Sequence, residues 1–423
     1  MKIIDVIYTP VATGFFRDDQ GAIRAGTDRD GFLYSGTPVT PGFRAIREPG
    51  MAVSVSLILS DGQVALGDCA EVQYAGAGGR APLASLDELL AQLTTHVTPR
   101  LVGRTLDGFR KPAEEIDGIE VGGVPLATSV RYGVTQALLH AAALASGRTM
   151  AEVVRDEYGI EREIDVVALF AQCGDDRYLN VDKMILKEVD ALPHGLINEV
   201  DKKLGRHGEI LLEYVSWLRE RVLSVRTNPN YAPRLHFDTY GTIGIAFDGD
   251  LERVATYLEE LSQAAAPFEL WVEHPIDAGS RDAQVATYAE LRTLLKDRGI
   301  PVAIVVDEWC NTLEDIDLFT STRGADVIHV KTPDLGGLNN TIEAMLLVHE
   351  RGLRSYCGGT CNETDVSARA TTQVAMACGA DQVLAKPGMG VDEGIMIVRN
   401  EMVRTRDLIR WRRDHRAASD AVA

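Results

Sequence analysis

No apolar stretch in this 423-residue chain approaches membrane-spanning length. The first residues, Met-Lys-Ile-Ile-Asp-Val-Ile-Tyr, alternate like a strand and lack the apolar run of a signal peptide. Cysteine is sparse. Cys69, Cys173, Cys310, Cys357, Cys361 and Cys378 lie scattered, and the Cys357/Cys361 pair has no second pair at zinc-finger spacing, so a structural zinc is not expected. These absences predict a cytoplasmic protein with reduced thiols. Positive charge is also short, with 43 Lys and Arg against 62 Asp and Glu, a net charge of −19. That balance argues against nucleic-acid and anionic-membrane partners. It leaves room for an acidic substrate, because a bound cation can reverse the sign inside a pocket. The small-residue segment Gln73-Tyr-Ala-Gly-Ala-Gly-Gly-Arg80 is followed by no Gly-Lys-Ser/Thr, which excludes a phosphate loop. Its glycines let the backbone flex or approach a ligand closely.

A hydrophobic content of 45% with 25% charged residues is that of a soluble globular protein, long enough for a barrel plus a second domain. Residues 1–160 read as α+β, with strands over 3–8 and 52–59 and helices over 85–93 and 129–144. Ala145-Ser146-Gly147 spells a tripeptide that cyclises to an electrophile in some enzymes. Here it ends an Ala-rich helix, where Ser-Gly is ordinary C-terminal punctuation. From 161 to 423 strands alternate with amphipathic helices. Strands are expected over 166–173, 235–240, 268–275, 302–309, 327–332, 354–360 and 382–386, with a weakly marked one near 183–198. So many strand–helix repeats predict a parallel sheet closed into a barrel.

Four of these strands end in charge: Leu235-His-Phe-Asp238, Leu270-Trp-Val-Glu273, Ile304-Val-Val-Asp307 and Val327-Ile-His-Val-Lys331. A buried strand ending abruptly in a charge is costly unless the charge meets a metal, a partner or water. Three hard oxygen ligands at one barrel rim suit magnesium better than zinc or copper. The alternative is that each carboxylate pairs with a nearby Arg or Lys, or caps a helix. Lys331 beside a cation would have a lowered pKa and could act as a base; its alternative is a salt bridge to one of the acids. Period-two geometry turns His329 to the same side as Lys331, and His236 to that of Asp238. His194 is a candidate second acid or base, or else a structural residue of its Pro-His-Gly turn. Gly358-Gly359-Thr360-Cys361 either offers backbone N–H groups to a carboxylate or forms a plain glycine turn.

The segments His236-Phe-Asp238, Trp271-Val-Glu273-His-Pro275, Asp307-Glu-Trp-Cys-Asn311, Lys331-Thr-Pro-Asp-Leu-Gly-Gly337 and Gly358-Gly-Thr-Cys-Asn-Glu-Thr-Asp365 resemble the methylaspartate ammonia-lyases of the enolase superfamily. The resemblance runs from the N-terminal domain to the last barrel strand. It implies an α/β fold, with an N-terminal α+β capping domain (1–160) and a modified (β/α)8 TIM-type barrel (161–423). It also implies a homodimer, Mg2+, and activation by a monovalent cation such as K+. By position, Asp238, Glu273 and Asp307 would hold the metal. Lys331 would take the C3 proton of (2S,3S)-3-methylaspartate, and His194 would serve the other C3 epimer. Gln172, Thr360 and the Cys361 backbone would grip the 1-carboxylate, with Gln73 and Gln172 on the amino group. Phe170, Tyr356 and Leu384 would wall the methyl group and amine. Ammonia would leave from C2 to give mesaconate, a reversible step of glutamate degradation.

One position departs: the family commonly has Gln, contacting the substrate carboxylate, where this chain has His329. Rival readings are an enolase-type epimerase or dehydratase, a metal-free barrel glycosidase, and a non-catalytic scaffold. An early Lys-x-Lys would favour several of the enolase-type families, and the weak second-strand region has none. The glycosidase leaves Asp238, Asp307 and Lys331 idle. The scaffold requires a vestigial metal site, yet every expected ligand is present. His329→Gln is predicted to retain activity but alter KM or its pH dependence; identical kinetic profiles would sink the idea.

Overall fold

A computed structural model describes residues 1–71, 74–76 and 78–420. The N-terminal part is built on an antiparallel sheet of β1 (Ile3–Asp18), β2 (Arg47–Leu59) and β3 (Val64–Cys69), in that spatial order. In β2 the buried Val53, Val55, Leu57 and Leu59 alternate with less buried Ser54 and Ser56, as a one-faced sheet requires. β1 continues well past residue 8, pairing with β2 as far as Asp18 opposite Arg47 across an irregularity between Ala12 and Phe16. Pro10 and Gly14 conceal this extension from the sequence pattern.

Helix α1 (Leu86–Gln92) begins with a capping box in which Ser85 and Glu88 satisfy each other's backbone N–H groups. Helix α2 (Thr128–Ser146) lies across β3. A Cβ on Gly133 would sit 2.4 Å from the Cys69 amide, and one on Gly67 2.1 Å from the Gly133 carbonyl, so glycine at both positions permits the approach. The Gln136 amide then bonds both the N–H and the C=O of Asp68, at 3.1 Å each. Ser146 is exposed and Gly147 adopts φ +62°, closing α2, so the Ala-Ser-Gly tripeptide is a helix end.

Eight parallel strands follow: β4 (Leu169–Phe170), β5 (Ala191–His194), β6 (Arg234–Asp238), β7 (Leu270–Glu273), β8 (Val302–Val306), β9 (Val327–Val330), β10 (Arg354–Cys357) and β11 (Gln382–Leu384). They close in sequence order, with β11 pairing β4, into the expected (β/α)8 barrel. The last helix runs from Asp392 to Asp420. The strands are shorter than the sequence suggests. β4 is two residues long by pairing, although Ala171 and Cys173 still donate to the carbonyls of Ala191 and Pro193. The weakly marked strand is β5, preceded by a helix over Leu179–Leu186. Its Pro193 lacks the N–H that a strand interior normally uses.

Alternation divides the barrel residues cleanly. Phe237, Val272, Ile304, Val306, Ile328 and Val330 pack outward under the helices, while Phe170, Trp271, Val305, Tyr356 and Leu384 form a separate core inside. The N-terminal part covers the carboxyl mouth: the Gly14 amide donates to the Glu363 carbonyl at 2.8 Å, and Asn362 Nδ2 donates to the Glu71 carbonyl at 3.3 Å. Among the described residues no helix is long and apolar enough to cross a membrane. Gly133→Ala is expected to destabilise the fold by about 1–3 kcal/mol, through overpacking against β3. Urea denaturation measures it; an unchanged midpoint would show that helix and sheet can part without cost.

Candidate active site

Each charged strand ending faces the barrel mouth, and all four side chains are buried: Asp238 is 3% exposed, Glu273 1%, Asp307 4% and Lys331 2%. Glu273 is clamped between two imidazoles, with Oε2 2.9 Å from His236 Nε2 and Oε1 2.6 Å from His329 Nδ1. Burial alone would raise its pKa, but His329 and His236 hold it at about 2. Asp307 Oδ1 lies 2.7 Å from Lys331 Nζ, and that amine also donates to the Asp307 carbonyl at 2.8 Å. Against burial, Lys331, Arg80 and His329 keep Asp307 well below the usual carboxylate range. Asp238 has less help. Burial and the Glu273 charge push it up to about 6, although His194 Nε2 stands 3.3 Å from its Oδ2.

The acids fit a divalent cation, because Glu273 and Asp307 converge and Asp238, under the charge of both, is left short of positive charge. Glu273, Asp307 and His329 each place one ligand atom within 4.8 Å of the others. The sequence put Asp238 in that group and His329 outside it. Asp238 instead turns Oδ2 toward His194. His329 has both ring nitrogens engaged, since Nε2 accepts the Gly359 N–H at 3.2 Å. These two hydrogen bonds fix the ring at the edge of the cavity it borders. The lowered pKa expected of Lys331 is that of an amine beside a cation; the protein's own charges act the other way. Burial and Arg80 depress its pKa, yet Asp307, Glu308 and Asp334 more than compensate and raise it. Among the protein's own charges, the salt-bridge alternative describes this lysine.

A cavity opens above these groups. Gln172, His194, Tyr356, Thr360, Cys361 and Leu384 line it, together with Asp238, Asp307, His329 and Lys331. Gln172 Nε2 and His194 Nδ1 are buried without a hydrogen-bond partner among the described residues, leaving two polar atoms for a ligand. Phe170 is not a wall of this cavity. It lies beneath, stacked on His236 with ring centroids 4.3 Å apart and planes 1° from parallel. Gln73 lies outside the described residues.

Arg80, Glu308 and Asp334 were missed in the sequence. Arg80 spans three acids, with Nη1 2.5 Å from Glu308 Oε2, Nε 3.1 Å from Asp334 Oδ2 and Nη2 3.4 Å from Asp307 Oδ1. Burial and Asp307 push Glu308 up to about 7 in spite of Arg80. The glycine loop carrying Arg80 is pinned to the rim, where Gly78 O accepts from the Trp309 amide at 3.1 Å and from Asn311 Nδ2 at 2.9 Å.

A family model described as the methylaspartate ammonia-lyase N-terminus matches residues 1–159, and one for the C-terminus matches residues 162–411. The chain belongs to the methylaspartate ammonia-lyase family. It is thus an enzyme of the lyase class. It is 53% identical over 409 residues to the methylaspartate ammonia-lyase of Clostridium tetanomorphum, covering 97% of this chain and 99% of that one. It is 50% identical over 405 residues to that of Citrobacter amalonaticus, covering 96% and 98%. The solved β-methylaspartase of Clostridium tetanomorphum, a magnesium complex, superposes with a TM-score of 0.93 at 53% identity, over 97% of this chain and 100% of that one. The Citrobacter amalonaticus structure containing (2S,3S)-3-methylaspartic acid gives 0.95 at 49%, over 97% and 100%. More distant likenesses show the fold alone, such as an L-Ala-D/L-Glu epimerase from Bacillus subtilis at 16% identity and TM-score 0.64.

Arg80→Met is expected to lower the unfolding free energy by about 3 kcal/mol, because it strips a buried acid cluster of its cation. An unchanged urea midpoint would show that the three acids find other partners.

Proposed function

We propose that this lyase removes ammonia from (2S,3S)-3-methylaspartate to give mesaconate, reversibly and with Mg2+, as a step in glutamate degradation. Residues 1–160 act as the cap and 161–423 as the catalytic barrel. The observation that carries the reading is Lys331, an amine buried at the barrel mouth and held 2.7 Å from Asp307 beside two further buried acids. The magnesium complex of the Clostridium tetanomorphum relative and the substrate in the Citrobacter amalonaticus structure support it.

Asp238, Glu273 and Asp307 would hold the cation. When bound, magnesium supplies positive charge that draws on Asp307 and offsets the second negative charge created when C3 loses its proton. Lys331 takes that proton, a role that favours an amine whose hold on Asp307 has been loosened. The electron pair left at C3 forms the C2–C3 double bond as the C2–N bond breaks and ammonia departs. Gln172, whose Nε2 has no hydrogen-bond partner among the described residues, grips the 1-carboxylate with Thr360 and the Cys361 backbone, and shares the amino group with Gln73. Tyr356 and Leu384 bound the methyl group. His194, fixed by Asp238, serves the other C3 epimer. Homodimer formation, K+ activation and a cytoplasmic location belong to the same reading.

Incubation with 3-methylaspartate, Mg2+ and K+ should raise the ultraviolet absorbance of a conjugated diacid. Folded protein that yields no product from either C3 epimer rejects the assignment. Lys331→Ala should reduce turnover of the (2S,3S) substrate by about 10³-fold or more while metal binding persists. Turnover close to wild type would remove Lys331 from its role.

A further inference from the structure

The centre of a parallel barrel is normally filled by branched apolar side chains. Here His236 and Gln382 share it with the inner apolar core, both 0% exposed, and neither borders the cavity that receives substrate. Buried polar groups at such a depth are costly unless fully paired, so an apolar filling would be the cheaper solution for the fold alone. Both residues are paired, and their pairing has a direction.

Arg234 Nη1 donates to Gln382 Oε1 at 3.0 Å, which turns the Gln382 amide nitrogen toward His236 Nδ1, 2.8 Å away. An amide nitrogen only donates, so Nδ1 must accept and the ring proton must reside on Nε2. That proton points at Glu273 Oε2, 2.9 Å away. The ring has little freedom to rotate, being stacked on Phe170 and flanked by Trp271 at 5.6 Å and Tyr356 at 5.5 Å between centroids. Arg234 is fixed in turn, with its guanidinium carbon 3.8 Å from the Trp271 ring centroid and its Nε 3.1 Å from Glu269 Oε2. Glu269 also takes the Trp271 indole N–H at 2.8 Å and Arg354 Nη1 at 2.6 Å. A directed chain of donors therefore runs through the barrel from the start of β6 to the end of β7.

We propose that Arg234, Gln382 and His236 are positioning residues that aim the Glu273 carboxylate at the divalent cation, with Gln382 selecting the His236 tautomer that can do so. The proposal rests on Glu273 being a metal ligand. Carboxylate ligands of metals are themselves oriented by hydrogen bonds, and removing such a partner typically weakens metal binding about 10–100-fold. Gln382→Leu frees the ring to present a lone pair, rather than a proton, to Glu273.

The test is direct Mn2+ binding to the full chain, followed by electron paramagnetic resonance of the free ion, with thermal melting in parallel. Gln382→Leu and His236→Phe should each raise the Mn2+ Kd about tenfold. His236→Gln, whose amide nitrogen reaches the place of Nε2, should bind within about threefold of wild type, whereas the shorter His236→Asn should not. Turnover of Gln382→Leu should also recover as Mg2+ is raised, a response that loss of packing would not produce. Wild-type affinity in folded Gln382→Leu and His236→Phe would overturn the relay while leaving the metal site standing. If those two variants fail to fold, equal affinities of His236→Gln and His236→Asn would overturn it. No Mn2+ binding by wild type, or wild-type binding by Glu273→Gln, would instead overturn the metal reading beneath it.

Discussion

The constraint that organises this molecule is the burial of five carboxylates, those of Asp238, Glu273, Asp307, Glu308 and Asp334, at one barrel mouth. Like charges removed from water repel strongly, and each must be met by a cation, a donor or a proton. The five are answered differently, and Asp334 shares Arg80 with its neighbours. Glu273 receives two imidazole donors and stays ionised; Asp307 receives Lys331 and Arg80. Asp238 and Glu308 are undersupplied, and their affinity for protons rises to about 6 and about 7. A site whose own cations fall short of its anions is suited to importing positive charge, which the proposed magnesium-dependent reaction requires.

That shortage also explains why the cap is more than a cover. The cation bridging Asp307, Glu308 and Asp334 comes from Arg80, on a loop of the N-terminal part rather than on the barrel. Gly78 allows the loop to lie against the rim, since a Cβ there would meet Glu308 Oε2 at 2.6 Å. The electrostatics of the barrel mouth are therefore completed only when both parts of the chain are folded together.

The strand endings were legible because alternation and terminal charge both survive in the sequence. Asp238, Glu273, Asp307 and Lys331 all reach the mouth as their spacing implied. What escaped notice was governed by other physics. Glu308 follows Asp307, so a continuing strand would face it away, but β8 stops at Val306 and both acids turn to the site. Arg80 sat in a loop remarkable to the pattern only for glycine, and no local signal links it to acids more than two hundred residues away. Phe170 was placed on the right face but at the wrong height: period-two reasoning gives the side of a strand, while depth depends on how the barrel is staggered. The same limit hid the Gln382–His236 pairing, which joins strands distant in sequence.

The loop carrying Thr360 and Cys361 shows how the fold can hold a glycine-rich segment still. Lys386 Nζ lies 2.9 Å from Glu363 Oε1, both side chains 0% exposed, and also donates to the Gly358 carbonyl at 2.7 Å. Tyr132, from helix α2 of the cap, donates to the other Glu363 oxygen at 2.7 Å. A buried ion pair is weak evidence for stability, because desolvation offsets much of its attraction. Its value here is geometric. It joins the cap and two strand ends to the segment whose Gly359 amide meets His329 and whose next residues border the cavity. Glycine gives that segment the close approach, and the Lys386–Glu363–Tyr132 cluster removes the freedom glycine would otherwise leave, so that a ligand entering the cavity need not first order the loop.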